Sequence, residues 1–107
     1  SGDDFTTFPL LCVGGMGVIS VVSNVVPGDM AGMCNAFFKG DLAEARRLHY
    51  KMWPLIEAMF IETNPVPVKA AVKMMGKITG EVRQPLCPLA PQNEEKLRQV
   101  MQKYGLI

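Results

Sequence analysis

Gly14-Gly15-Met16-Gly17-Val18-Ile19-Ser20-Val21-Val22 is the stretch on which the fold of this chain turns. Val18–Val22 is dense in β-branched residues, with glycine before it and Asn24 and Pro27 after it. Such a run predicts a strand buried on both faces, as in parallel sheets. No second run of this kind occurs in the sequence. A single strand cannot satisfy its own backbone donors and acceptors, so its partners must come from elsewhere. The three glycines invite comparison with a dinucleotide loop, which needs strand, then glycines, then helix. Here the glycines precede the strand and Ser20 takes the sixth position. They read as a turn into the strand.

After Pro27 the pattern becomes helical. Residues 28–39 predict a helix stopped by Gly40, and Asp41 lies three residues before Glu44, the spacing of a capping box. Leu42, Ala45, Leu48, Met52, Ile56 and Met59 recur at intervals of three and four, one stripe of a long helix that contains Pro54. Asn64-Pro65 predicts the next helix start, with Asn64 as the cap, a stripe of Val68, Ala71, Val72 and Met75, and a stop at Gly76. Residues 77–91, with Pro85, Pro88 and Pro91, predict a loop. Asn93 with Glu94 and Glu95 is expected to open a last helix, whose stripe is Leu97, Val100, Met101 and Tyr104 and whose stop is Gly105. The residues alone thus predict a mainly α chain with one orphan strand.

Composition narrows the function classes. With 107 residues, the chain has room for one domain, and 49% hydrophobic against 20% charged residues is the balance of a protein that buries a core. Eleven Lys and Arg against ten Asp and Glu leave a formal charge of +1, too little excess for a phosphate-backbone binder, so no nucleic-acid partner is expected. The longest apolar stretch, Val18–Val26, is broken by Ser20, Ser23 and Asn24 and falls far short of the roughly 20 residues of a membrane helix. No membrane partner is expected. Cys12, Cys34 and Cys87 form no Cys-x-x-Cys pair, and His49 is the lone histidine, so neither a metal site nor a cofactor is expected. The odd cysteine count points to a reducing cytoplasm. Ser1-Gly2-Asp3-Asp4 is acidic, unlike a signal peptide, and carries no initiator Met; the chain is expected to begin inside something larger.

The candidate chemical groups are few. Asp3 and Asp4 could serve as a carboxylate pair, but adjacent side chains diverge, and a helix cap is the simpler role. His49 has no Asp, Ser or Cys close in sequence. Lys69 and Lys73 could form Schiff bases only if burial lowered their pKa, and charged neighbours on a helix argue for solvation. The eight methionines are core filler. No catalytic set can be assembled from these residues.

Two stretches carry a resemblance. Ser1-Gly2-Asp3-Asp4, then Gly14-Gly15-Met16-Gly17-Val18-Ile19-Ser20-Val21 and Asn24-Val25, resemble the end of the barrel in the dihydrodipicolinate synthase family. Asp41-Leu42-Ala43-Glu44-Ala45-Arg46 and Glu62-Thr63-Asn64-Pro65-Val66-Pro67-Val68-Lys69-Ala70 resemble that family's C-terminal helical region. The resemblance runs the whole length of the chain, in order. It implies the C-terminal part of a (β/α)₈ barrel, a fold of roughly 250 residues, with its last strand and helices in residues 1–40 and a C-terminal helical domain in residues 41–107.

The family condenses pyruvate with aspartate semialdehyde in lysine and diaminopimelate biosynthesis, holding pyruvate as a Schiff base on a lysine, with a tyrosine-centred proton relay. By the family pattern that lysine and tyrosine lie on earlier strands, so the resemblance implies no catalytic residue here and an inactive fragment; Tyr50 and Tyr104 inherit no role. Ile19 falls on the position whose backbone carbonyl faces the lysine and pyruvate. Gly2, Asp3 and Asp4 match the loop at the active-site mouth, and Asn64 a position near its channel. Pyruvate, aspartate semialdehyde and further copies of the chain are the implied partners. Another pyruvate-lysine aldolase, such as N-acetylneuraminate lyase, and a non-catalytic helical interaction module are the alternatives; the Ser-Gly-Asp-Asp and Val-Ile-Ser-Val pieces favour the synthase.

Overall fold

A computed structural model describes all of residues 1–107. It contains five α-helices: α1 (Thr7–Cys12), α2 (Pro27–Phe38), α3 (Leu42–Met59), α4 (Val66–Met74) and α5 (Pro91–Tyr104), with one 3₁₀ turn at Val22–Asn24. The chain divides into two compact units, Ser1–Ile56 and Glu57–Ile107, and the division falls inside α3.

The expected strand at Val18–Val22 does not form. Residues 15–20 have no regular secondary structure, and the 3₁₀ turn begins at Val22. The reason is the one that made the strand an orphan: a ladder needs a second strand to pair with. One rung survives. The Ser1 nitrogen donates to the Gly17 carbonyl at 2.7 Å and the Ile19 N–H donates to the Ser1 carbonyl at 2.8 Å. One residue bonded to positions j−1 and j+1 of its neighbour is the register of parallel strands. Val18, opposite Ser1 in that rung, is half-buried, whereas Val13, Met16 and Ile19 are exposed by 80%, 82% and 87%.

The helices form where the spacing predicts them, and three share one stop. At the end of α2, the Gly40 N–H reaches the Phe37 carbonyl and the Asp41 N–H reaches that of Ala36; Gly76 with Lys77, and Gly105 with Leu106, repeat the pattern after α4 and α5. These are Schellman closures, which need a left-handed residue, and the three glycines have φ of 82°, 74° and 87°. Asp41 caps α3 as expected, its Oδ1 accepting the Glu44 N–H at 3.1 Å. Along α3, Ala45, Leu48, Met52, Ile56 and Met59 are buried, while Leu42 is 53% exposed and drops out of the stripe.

Two helix starts differ from expectation. Asn64 does not cap α4: the Asn64–Pro65 bond is cis, Pro65 takes the cap position, and no side chain caps it. The Val66 N–H instead finds the Thr63 carbonyl at 3.0 Å, so backbone does the work assigned to Asn64. Likewise α5 opens at Pro91, two residues before Asn93. Proline at the first helical position gives up a donor that has no intrahelical acceptor anyway, which leaves the Asn93 side chain for a longer contact.

In the first unit, α2 contacts both α1 and the 3₁₀ turn, over buried Leu11, Val22, Met30 and Met33. In the second, α4 contacts α5, over buried Val66, Val68, Ala71, Leu97 and Met101. Leu97 is fully buried. Leu97→Ala is expected to destabilise the second unit by about 2–5 kcal/mol, the usual cost of emptying a buried leucine site. A denaturant midpoint measured on α5 signals checks it; an unchanged midpoint would contradict docking of α5.

Candidate functional site

The residues that the resemblance assigns to the active-site mouth are mostly gathered at one place in the first unit. Gly2 is exposed and has open space around its α-carbon. Asp3 organises the entry to α1: its Oδ1 accepts the Phe5 N–H at 3.2 Å, and its carbonyl accepts the Thr7 hydroxyl at 2.9 Å. Asp4 is only 1% exposed. Its Oδ2 accepts the Val21 N–H at 3.0 Å and the Val22 N–H at 2.9 Å, while Oδ1 is buried with no hydrogen-bond partner. The pair Asp3–Asp4 therefore divides its labour, as adjacent side chains must, and neither sits opposite the other as an acid–base couple.

Ile19 lies between these anchors. Its N–H is fixed by Ser1, its carbonyl accepts no hydrogen bond within the chain, and its side chain points to solvent. A backbone carbonyl held in this way is an acceptor ready for an external donor. Asn64 belongs to the second unit, where it is exposed.

Sequence reasoning missed two groups. His49 is 6% exposed and sits among rings: its centroid lies 5.1 Å from Tyr50, 5.4 Å from Phe8 and 5.3 Å from Trp53. Its Nδ1 is buried without a partner, and burial pushes the imidazole below its ordinary pKa. The signal was present in the i, i+4 spacing of His49 and Trp53 on α3. Glu62 is the second. Its Oε1 accepts the Asn93 side-chain N–H at 2.8 Å and the Ala90 N–H at 2.9 Å, and these bonds hold its carboxyl below the usual carboxylate range. Glu62 thus ties the segment before α4 to the start of α5, and no sequence signal short of the fold reveals it.

Nothing else assembles chemistry. No group of three or more His, Cys, Asp or Glu could hold a metal ion, and no helix is long and apolar enough to cross a membrane. The three cysteines are unpaired, and burial raises the Cys34 thiol. A cavity of about 230 Å³ in the second unit is lined by Val66, Val82 and Leu89 with Lys73, Glu94 and Arg98. Its charged side chains are exposed or half-exposed, and it contains no catalytic set.

The family model described as the dihydrodipicolinate synthetase family matches residues 1–104, and the chain belongs to that family. Among curated relatives, the 4-hydroxy-tetrahydrodipicolinate synthase of Syntrophobacter fumaroxidans is 60% identical over 108 residues, covering 100% of this chain and 37% of that protein. The same enzyme of Oleidesulfovibrio alaskensis is 59% identical with equal coverage. The crystal structure of dihydrodipicolinate synthase from Thermotoga maritima superposes with a TM-score of 0.97 at 51% identity, covering 100% of this chain and 36% of that one. The chloride-inhibited enzyme of Acinetobacter baumannii complexed with pyruvate gives 0.95 at 40% identity, covering 100% and 37%. The chain therefore spans about 37% of the length of the curated relatives it matches. The relatives favour the synthase over the sugar-acid lyase and over an interaction module.

The buried imidazole sets a pH dependence. Because burial lowers its pKa, the fold favours the neutral ring. The contribution is complete above the unfolded value of about 6.5 and declines as pH falls below it, where the unfolded chain takes up a proton the folded chain resists. Urea midpoints between pH 7.5 and 5.5 should therefore fall more steeply for this chain than for His49→Phe. Parallel slopes would contradict the assignment.

Proposed function

We propose that this chain is the closing portion of a dihydrodipicolinate synthase barrel. Residues 1–40 would supply its last strand and helix, and residues 41–107 the helical domain that follows. The complete enzyme would condense pyruvate with aspartate semialdehyde through a Schiff base on a lysine outside residues 1–107, towards lysine and diaminopimelate, in the cytoplasm and as a homo-oligomer. Within it, the Ile19 carbonyl faces the lysine and the bound pyruvate, with Gly2, Asp3 and Asp4 at the mouth and Asn64 near the channel.

The observation that carries this reading is the single parallel rung between Ser1 and Gly17–Ile19. Two neighbouring strands of a (β/α)₈ barrel run parallel, and their C-terminal ends form its active-site face. The free Ile19 carbonyl lies at this rung, where it can orient a lysine ammonium and accept a hydrogen bond from reacting groups. The 51% identity and TM-score of 0.97 with the Thermotoga maritima enzyme support the same reading. The solvent-facing Val13, Met16 and Ile19 give the rest of a barrel an apolar surface to cover.

Replacing the matching segment of the Thermotoga maritima enzyme by this chain should give a chimera that condenses pyruvate with aspartate semialdehyde. A folded but inactive chimera would overturn the proposal. The chain alone, treated with pyruvate and borohydride, should keep its unmodified mass. A stoichiometric pyruvyl adduct on Lys69 or Lys73 would show a Schiff-base lysine where none is expected.

A further inference from the structure

Asp4 is well placed to act on the site without touching substrate, and we propose that it is the positioning residue of the Ile19 carbonyl. The inference rests on the proposed function for its catalytic consequence, but its structural half stands alone. Asp4 is 1% exposed, and its Oδ2 accepts two consecutive backbone donors, Val21 N–H at 3.0 Å and Val22 N–H at 2.9 Å. Those donors open the 3₁₀ turn at Val22–Asn24. They are among the donors that a helical turn leaves without internal partners, and the carboxylate satisfies both.

The geometry makes a clamp of two points. On one side of Ile19, Ser1 and Gly17 hold the backbone through the parallel rung. On the other side, two residues away, Asp4 holds Val21 and Val22. Ser1 is tied to Asp3, the residue before Asp4, because its hydroxyl donates to the Asp3 carbonyl at 2.7 Å and accepts the Asp3 N–H at 3.0 Å. The short segment Ser1–Asp4 thus holds the backbone on both sides of Ile19. The Ile19 side chain cannot do this, being 87% exposed. The carbonyl is aimed by its neighbours.

Neither alternative role for Asp4 fits. A substrate-binding carboxylate would need solvent access, and this one has almost none. A local helix cap would bond residues two or three positions on, whereas its partners lie 17 and 18 positions away. The unpartnered Oδ1 is buried in the same place, so removing the side chain would leave both the two N–H groups unpaired and a gap beside them.

The test has two arms, using Asp4→Ala, Asp4→Asn and Asp4→Glu. Asn keeps an acceptor oxygen at the same reach; Glu keeps the charge but moves it by one methylene. In this chain, amide exchange should show Val21, Val22 and Ile19 losing protection in the alanine variant and keeping it in the asparagine variant, with α2 to α5 unchanged. Protection retained at Ile19 in Asp4→Ala would overturn the inference. In the Thermotoga chimera, alanine should lower kcat by about tenfold or more, the scale of a misplaced catalytic contact, with a smaller change in the pyruvate KM and rescue by asparagine. If alanine does not fold, Asp4→Glu gives the same readings at smaller amplitude. Lost protection with unchanged kcat would also overturn the positioning role. A wild-type chimera that forms no borohydride-trapped pyruvyl adduct would instead sink the proposed function, and amide exchange would still decide whether Asp4 holds Ile19.

Discussion

Every backbone N–H taken from water needs an acceptor, and this chain must meet that requirement for a β-type segment without a sheet. It does so with very little. Ser1 supplies one carbonyl to Ile19, and Asp4 supplies one carboxylate oxygen to Val21 and Val22. Once those donors are satisfied, the chain can turn through Val22–Asn24, bury Val22, Val25 and Val26, and enter α2 at Pro27. Within the first unit, α2 then packs on both that turn and α1.

The helical half of the molecule was legible because its signals are local. Gly40, Gly76 and Gly105 mark stops that only a left-handed residue can make, and the stripes of α3 to α5 lie at the spacing one helix face demands. The end of α5 could be read to the residue. Val18–Val22 could not, for strand propensity measures how well side chains fit a pleated neighbour rather than a preference of the backbone itself. With a single rung available, the β-branched run forms no strand. The start of α4 differs from expectation for a related reason: Asn64 is a good cap by type, but the Val66 N–H bonds the Thr63 carbonyl and no side chain caps the helix.

Part of the candidate site's layout could be read from the sequence. The matching motifs singled out Gly2, Asp3, Asp4 and Ile19, and hydrogen bonds do link that loop to that backbone. What a sequence cannot display is which carboxylate turns inward. Asp3 and Asp4 are chemically identical neighbours, yet one shapes the start of α1 and the other reaches across 17 residues. Glu62 is hidden in the same way, since its partners Ala90 and Asn93 lie 28 and 31 residues on. Contacts of that range belong to the fold.

The methionines have an uneven fate under oxidising conditions. Met33, Met52, Met59 and Met101 are fully buried and Met30 nearly so, whereas Met16 stands 82% exposed within the glycine segment that leads to Ile19. Peroxide reaches a thioether in proportion to its access, and the sulfoxide it leaves is polar and chiral. Damage would therefore begin at Met16, writing a polar mark onto the apolar surface around Ile19 while the helical cores stay chemically intact. Oxidative ageing of this protein would show first as a local change of surface character, long before any loss of helix.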